Sequence, residues 1–235
     1  MLSKDDRDRL LAYCHNFFGY GNPRAPFWFV GLEEGGGNSV NETIGRVNAW
    51  EEQGRPVLAD LLEFHRSIGV EKWFGPDAVR QKTWGMLVRS VLLANGIQAT
   101  ANTVLHYQAE KLARRKGETA LLELMPLPSR RTSDWIYSKI GIQSLESRKE
   151  YIAALQQERI RSLTDLIVAE APASVVFYGG RRAWPGLLGV VPAYGEDFDV
   201  AAQGKSRLIF TNHPTAFGAR NSQFDSVGRA MRESS

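Results

Sequence analysis

The chain has 235 residues, of which 43% are hydrophobic and 23% are charged, and its formal net charge at pH 7 is +3. This length suits one globular domain, and the composition excludes extensive disorder. The single cysteine, Cys14, excludes an internal disulfide and a cysteine-ligated zinc or iron–sulfur centre. The charged N-terminus and the lack of a long apolar stretch predict a cytoplasmic protein without a signal peptide or membrane span.

Amphipathic helices alternate with short apolar strands along the chain. The first predicted helix covers about residues 4–18, and the first strand covers 26–32 (PFWFVGL), which leads into Glu33, Glu34 and three glycines. The four helices predicted next cover about residues 41–52, 57–67, 77–94 and 103–115.

The second half of the chain repeats this alternation. Strands are predicted at 120–125 (ALLELM), 174–178 (SVVFY) and 207–211 (RLIFT), and helices at about 146–169 and 222–232. Alternating strands and helices favour an α/β fold. We therefore expect one domain over 1–235, with three α/β/α layers around a central, mostly parallel four-stranded sheet.

Polar and glycine-rich segments follow the predicted strands. Right-handed crossovers bring the carboxyl ends of parallel strands to one edge of the sheet, where open α/β sheets bind ligands. The segments expected at this edge are Glu33-Glu34-Gly35, 123–126, Gly179-Gly180 and Asn212-His213. The pattern predicts a binding site there without specifying a reaction.

Two adjacent carboxylates, Glu33 and Glu34, leave the first strand. A carboxylate at this point can position a water molecule or stabilise a cationic transition state, although two adjacent glutamates alone favour a capping or solvated role in the loop. The glycine run 35–37 allows close approach of a ligand such as a phosphate, although it matches neither common nucleotide-binding motif.

Three further side chains have both a structural and a functional interpretation. Pro214 favours an extended conformation for His213, which would hold this side chain at the edge to donate to a developing oxyanion. Glu123 either faces outward or accepts a hydrogen bond from an exocyclic amine such as that of cytosine. Phe217 is an apolar residue in a predicted loop, where an ordinary core role is less expected.

Three short segments, taken in order, resemble the motifs of the uracil-DNA glycosylase superfamily. Residues 30–35 (VGLEEG) are similar to its first motif, 123–127 (ELMPL) to its base-reading strand, and 213–215 (HPT) to the His-Pro-Ser motif that opens its minor-groove loop. Residues 175–179 (VVFYG) stand where the family has its third strand. The resemblance covers about residues 26–232.

This resemblance implies a monofunctional DNA glycosylase that flips a nucleotide out of the duplex and cleaves its N-glycosidic bond. Glu33 would orient water, with Glu34 as the alternative if the turn shifts by one residue, and His213 would donate to O2 of the departing base. The residues implied around the flipped base are Gly31, Gly35, Glu123, Met125 and Asn212. The residues implied in DNA contacts are Thr215, Phe217, Arg220, Arg130, Arg181 and Arg182. We expect a monomer that needs no metal or cofactor.

Two departures from the family pattern bear on the substrate. Gly35 replaces the tyrosine that closes the pyrimidine C5 side, which implies an open pocket there. Glu123 replaces the base-reading asparagine, and an ionised glutamate accepts from the N4 amine of cytosine but cannot donate to O4 of uracil. We therefore expect a 5-substituted cytosine as substrate, such as the glucosylated hydroxymethylcytosine of phage DNA, and a role in antiviral defence.

Four alternatives remain open at this stage. The protein could be a repair glycosylase for uracil or another damaged base. It could be a metal-dependent nuclease that uses its carboxylates and His213 as ligands. It could be a DNA-binding sensor without catalysis, or a hydrolase of free nucleosides or nucleotides.

Overall fold

The computed structural model describes residues 2–130 and 134–232. Its strands are β1 (Gly19–Gly21), β2 (Phe27–Glu33), β3 (Leu58–Ala59), β4 (Thr119–Met125), β5 (Ser174–Tyr178), β6 (Ala193–Tyr194), β7 (Phe198–Gln203) and β8 (Ser206–Thr211). Its helices are α1 (Lys4–Asn16), α2 (Val40–Glu52), α3 (Leu61–Ser67), α4 (Lys82–Ala94), α5 (Ala101–Glu110), α6 (Arg148–Glu170), α7 (Trp184–Leu188) and α8 (Asn221–Arg232), with a 3₁₀ turn at Gln143–Leu145.

The α/β class is confirmed, and the four predicted strands form the parallel centre of the sheet in the order β4-β2-β5-β8. Their residues are almost all buried, as expected for strands covered on both faces.

The predicted sheet of only four strands is wrong, because the described residues form one mixed sheet of eight strands, ordered β3-β1-β4-β2-β5-β8-β7-β6. Strand β1 runs antiparallel to β4, and β7 runs antiparallel to β8. The added strands are short or lack an apolar run: β1 is Gly-Tyr-Gly, β3 has two residues, and both residues of β6 are exposed. Such edge strands carry too little hydrophobic pattern to be recognised in a sequence.

Two helices begin later in the chain than predicted, and a side-chain cap explains each start. Within the predicted helix at 57–67, Asp60 accepts hydrogen bonds from the N–H groups of Leu62 and Glu63, so α3 begins only after the short strand β3. Within 77–94, the Gln81 side chain accepts from the N–H of Trp84 and α4 begins at Lys82. The sequence did not indicate α7, which has five residues and starts at a Trp-Pro pair.

The helices pack in two groups beside the sheet. Helices α1, α2, α3 and α6 form one group, while α4, α5 and α8 form the other. Within the described residues, no helix is both long enough and apolar enough to cross a bilayer.

A buried arginine ties α6 to the strand that leads into the predicted site. The buried face of α6 has i, i+4 spacing and consists of Tyr151, Leu155, Arg159, Leu163 and Ile167. The Arg159 guanidinium donates to four main-chain carbonyls, those of Cys14, Phe17, Glu123 and Leu124. It also lies 3.8 Å from the ring centroid of Phe18. One cation therefore joins α1, the loop after it, β4 and α6.

We expect Arg159→Met to lower the free energy of unfolding by about 3 kcal/mol or more, because it leaves several buried carbonyls without a donor. Arg161→Met is the matched control, since Arg161 is exposed on the same helix, and it should change stability by less than about 0.5 kcal/mol. Denaturant unfolding of the two variants measures both values. Equal stability of the two variants would contradict this role for Arg159.

Candidate active site

A cavity of about 670 Å³ lies at the carboxyl edge of the parallel strands. Five of the predicted site residues line it: Glu33, Glu34, Gly35, Glu123 and His213. Aromatic and aliphatic side chains line another part, namely Tyr20, His65, Ile68, Val70, Trp73 and Trp84. The cavity therefore combines a cluster of carboxyl groups with an aromatic wall, and its volume suits a drug-sized molecule rather than a single six-membered ring.

Glu33 is the last residue of β2, and both of its carboxylate oxygens contact one arginine. Arg148, the first residue of α6, places Nη1 2.8 Å from Oε1 and Nη2 2.7 Å from Oε2. Burial raises the pKa of Glu33 above its ordinary value, while the hydrogen bond and charge of Arg148 oppose this shift. The bidentate pair therefore occupies both oxygens of the residue that the resemblance placed next to the catalytic water.

Glu34 has a different arrangement, in which both donors contact a single oxygen. The Tyr20 hydroxyl donates to Oε2 over 3.0 Å, and Arg46 Nη1 donates to the same atom over 2.9 Å. Among the contacts that the described residues make, none occupies Oε1. Glu34 is thus an arginine-paired carboxylate with one oxygen left to accept from a water molecule.

Glu123 lies on β4 and contacts Tyr178, the last residue of β5, across the intervening strand β2. The Tyr178 hydroxyl donates to Oε1 over 2.9 Å, and Oε2 is buried without a hydrogen-bond partner among the described residues. A Cβ atom at Gly31 would lie 2.3 Å from Oε2 and 2.6 Å from the Tyr178 hydroxyl oxygen. Gly31 therefore serves the site by leaving space for this pair beneath the cavity.

Burial raises the pKa of Glu123 to about 8, with added repulsion from Glu34 and Glu33 against the opposing hydrogen bond from Tyr178. At neutral pH the carboxyl group is mostly protonated. This differs from the ionised glutamate assumed in the sequence analysis, and discrimination against uracil by an ionised carboxylate does not follow.

Two amides at the end of the glycine run after β2 are not free for a phosphate. The N–H groups of Gly37 and Asn38 donate to the carboxylate of Glu42 on α2. Gly37 has φ of 75°, and a Cβ there would lie 2.3 Å from the carbonyl oxygen of Pro128. The run is a tight turn closed by an internal carboxylate, and the phosphate cradle considered from the sequence is wrong for these two amides.

His213 lies in the cavity as a neutral imidazole with a defined tautomer. The backbone N–H of Thr215 points to Nδ1 over 3.2 Å, and the Thr215 hydroxyl lies 3.0 Å from the same atom. Because a backbone N–H can only donate, Nδ1 is the acceptor and the ring proton resides on Nε2. Burial lowers the pKa of His213 below its ordinary value, which favours this neutral form. His213 can therefore donate one hydrogen bond from Nε2.

Of the residues implied around the flipped base, Gly31, Met125 and Asn212 do not line the cavity. Met125 is part of the hydrophobic core, and Asn212 is exposed. The expected phosphate contact by Arg181 is wrong, since its guanidinium is buried and donates to Asp199 and to the carbonyls of Gly195 and Glu196. Asp199 is fully buried, so Arg181 is used in fixing the β6–β7 hairpin.

Other predicted DNA contacts remain accessible around this edge. Phe217 is fully exposed in the loop after β8. Arg182 and Arg220 are exposed. Arg182 pairs with Asp199 over 3.1 Å, and Arg220 lies 3.9 Å from Asp197. Arg130 is exposed at the end of the first described range. Thr215 is exposed as well, and its closest polar partner is His213.

The side chains that donate to the three carboxyl groups were not predicted from the sequence. Arg46 carried a usable signal, because it stands on the face of α2 that also buries Thr43, Val47 and Trp50. Tyr178 carried another, as the last residue of a strand directed at this edge. Arg148 carried none, since 115 positions separate it from Glu33.

Within residues 2–130 and 134–232, no three His, Cys, Asp or Glu side chains are grouped so that they could hold a metal ion. The carboxylates of Glu33 and Glu34 contact arginines instead.

The close packing at Gly31 gives a direct test of the site's geometry. We expect Gly31→Ala to lower the free energy of unfolding by about 1–3 kcal/mol, because the added methyl group overlaps Glu123 and Tyr178. Gly35→Ala is the control: a Cβ there meets no atom within 4 Å, and stability should stay within about 0.5 kcal/mol. Thermal or denaturant unfolding measures both, and a harmless Gly31→Ala would contradict the packing described.

Comparison with known proteins found no relative: no family model, no curated protein and no solved structure matches the chain.

Proposed function

We propose that this protein is a monofunctional DNA glycosylase that hydrolyses the N-glycosidic bond of a 5-substituted cytosine and leaves an abasic site. The observation that carries the proposal is the meeting of Glu33, Glu34, Glu123 and His213 in one cavity at the carboxyl edge. This set supplies a carboxylate for water, a neutral donor for the leaving base and a group that can contact the base edge. Those are the parts that glycosidic cleavage through an oxocarbenium-like sugar requires.

Glu34 is the better candidate for orienting the attacking water. Its Oε2 is held by Tyr20 and Arg46, and its Oε1 is left to accept from water. Glu33 has both oxygens occupied by Arg148, and its role is to hold Arg148 while adding negative charge near the sugar cation. The geometry thus favours the alternative over the first assignment, in which Glu33 oriented the water.

His213 would stabilise the charge that develops on the departing base. A pyrimidine leaving as an anion carries negative charge at O2, and a neutral imidazole donating from Nε2 meets that charge without first losing or gaining a proton. The Thr215 contacts at Nδ1 hold the ring in the required tautomer. Protonation would place a proton on Nδ1 against the N–H of Thr215 and disturb this orientation, so activity should fall on the acid side as His213 becomes protonated.

The open space in the cavity beside Gly35 supports a substituted base as the substrate. Gly35 lines the cavity, and a side chain there would enter open space. The cavity volume of about 670 Å³ leaves room beyond a pyrimidine ring for a bulky group at C5. A glucosylated hydroxymethylcytosine of phage DNA is such a base, and its excision would be a means of antiviral defence.

The exposed groups around the cavity support DNA as the partner. Phe217 can fill the gap that a flipped nucleotide leaves in the stack. Arg182, Arg220 and Arg130 can contact phosphates, which gives affinity without sequence preference.

Separate substitutions of the two adjacent glutamates test the assignment. We expect Glu34→Gln to slow single-turnover excision by about 10²-fold or more, the usual contribution of a group that activates water. Glu33→Gln should slow it by roughly tenfold, because it weakens the bidentate contact with Arg148. Alkali cleavage of end-labelled DNA at abasic sites measures both rates. A larger loss of rate for Glu33→Gln would assign the orientation of the water molecule to Glu33.

His213→Ala should lower the excision rate by about 10²–10³-fold, the usual loss for one oxyanion donor. DNA affinity should change little, because His213 lies within the cavity while the cationic groups lie at its rim. The same assay combined with a DNA-binding titration measures both effects. Unchanged turnover would remove His213 from the mechanism.

A size series at Gly35 tests the substrate class. Gly35→Phe should abolish excision of glucosylated hydroxymethylcytosine while sparing any excision of an unsubstituted pyrimidine, because the ring fills the C5 side. Gly35→Ala is the matched control and should leave both activities close to wild type, since its methyl group enters open space. Equal effects of Gly35→Phe on all bases would argue that this side of the cavity does not receive the substituent.

A further inference from the structure

Glu123 is the carboxyl group of the cavity that has no cation of its own. Glu33 pairs with Arg148, and Glu34 pairs with Arg46. For Glu123, the ion pairs and hydrogen bonds found within the described ranges include only one side-chain partner, the Tyr178 hydroxyl. Its Oε2 is buried and unpartnered in the same part of the chain.

Burial and two neighbouring carboxylates oppose a negative charge on Glu123, and only the hydrogen bond from Tyr178 favours one. Glu33 at the end of β2 and Glu34 directly after it both add repulsion, and β5 presents Tyr178 as a neutral donor. Beyond Tyr178 lies His213, with 5.6 Å between ring centroids, and it is neutral. From α6, Arg159 reaches only the main-chain carbonyl of Glu123, over 3.0 Å.

We propose that Glu123 meets the base as a neutral carboxylic acid and so performs the task of a carboxamide, with one oxygen accepting and the other donating. This inference rests on the proposed glycosylase function. Tyr178 donates to Oε1, which marks Oε1 as the carbonyl oxygen and places the acid proton on Oε2. A buried O–H without a partner is costly, and a base in the cavity that Glu123 lines can supply the missing acceptor when the carboxyl group turns toward it.

A neutral acid fits the Watson–Crick edge of either pyrimidine. With cytosine, Oε2–H donates to N3 and Oε1 accepts from the N4 amine. Uracil presents its donor and acceptor in the reverse order, so it must sit in a shifted position in which Oε2–H donates to O4 and Oε1 accepts from N3–H. Glu123 would then recognise the edge of a pyrimidine, and the open space beside Gly35 would determine which base is accepted. Ionisation of Glu123 removes the donor and repels N3 or O4.

The decisive comparison is between Glu123→Gln and Glu123→Ala across pH 6–9.5. Wild-type excision should fall on the alkaline side with a midpoint near pH 8, where the acid ionises. Glu123→Gln keeps a donor and an acceptor, so it should restore most of the excision that Glu123→Ala loses and should lack the alkaline fall. The alanine variant should be about tenfold or more slower than wild type at pH 7, since it loses both hydrogen bonds to the base.

Two measurements that do not depend on activity accompany the kinetics. The ¹³C NMR signal of the Glu123 carboxyl, assigned by its loss in Glu123→Gln, should titrate with a midpoint near pH 8. Because the folded-state pKa lies above the ordinary value, the protonated form favours the folded state, and wild-type stability should fall relative to Glu123→Gln as pH rises from about 5 to 8. Unfolding at each pH also verifies that the variants are folded.

A carboxyl midpoint near the ordinary glutamate value would overturn the proposal, and so would a glutamine variant as impaired as the alanine variant. If the carboxyl titrates near pH 8 but no DNA yields abasic sites with any variant, the glycosylase function fails and the base-reading role fails with it.

Discussion

The crowding of carboxyl groups at one edge of the sheet is the constraint on which the site depends. Parallel strands bring Glu33 and Glu123 to this edge in adjacent strands, and Glu34 follows directly after Glu33. If these three groups were all ionised, their charges would repel each other in one partly buried cavity. The protein resolves this repulsion differently for each group, so each carboxyl group has its own partners and its own protonation behaviour.

Two of the solutions use arginines, one from the next helix along the chain and one from a helix 115 positions away. Arg148 at the start of α6 takes both oxygens of Glu33, while Arg46 on α2 shares one oxygen of Glu34 with Tyr20. The third solution is neutralisation, because burial and like charges keep a proton on Glu123 near neutral pH. One site thus holds a saturated carboxylate, a carboxylate with a free oxygen and a neutral acid. A hydrolytic reaction that needs a positioned water and a base-reading group can use all three.

The parts of the fold that the sequence predicted are those with a strong apolar pattern. The four central strands were predicted nearly to the residue because each is a continuous buried run, and their parallel order brought Glu33, Glu34, Glu123 and His213 together as expected. The edge strands could not be predicted, because pairing geometry rather than composition creates them.

The partners of the site residues were harder to predict than the residues themselves. Arg181 looks like a surface cation in the sequence, and only the position of the buried Asp199 makes it structural. The pairing of Glu33 with Arg148 depends on where α6 begins relative to β2, which no local pattern encodes. The protonation of Glu123 likewise depends on burial and on neighbours from other strands.

The most direct test of the central claim is incubation of the purified protein, in EDTA, with glucosylated phage DNA and with matched unmodified DNA. Each product would be divided and probed with and without alkali. A monofunctional glycosylase predicts strand cleavage only in the modified DNA and only after alkali, because abasic sites are its sole product. Intact DNA in every sample, despite measurable DNA binding, would contradict the account, as would cleavage without alkali or an activity that needs added divalent metal.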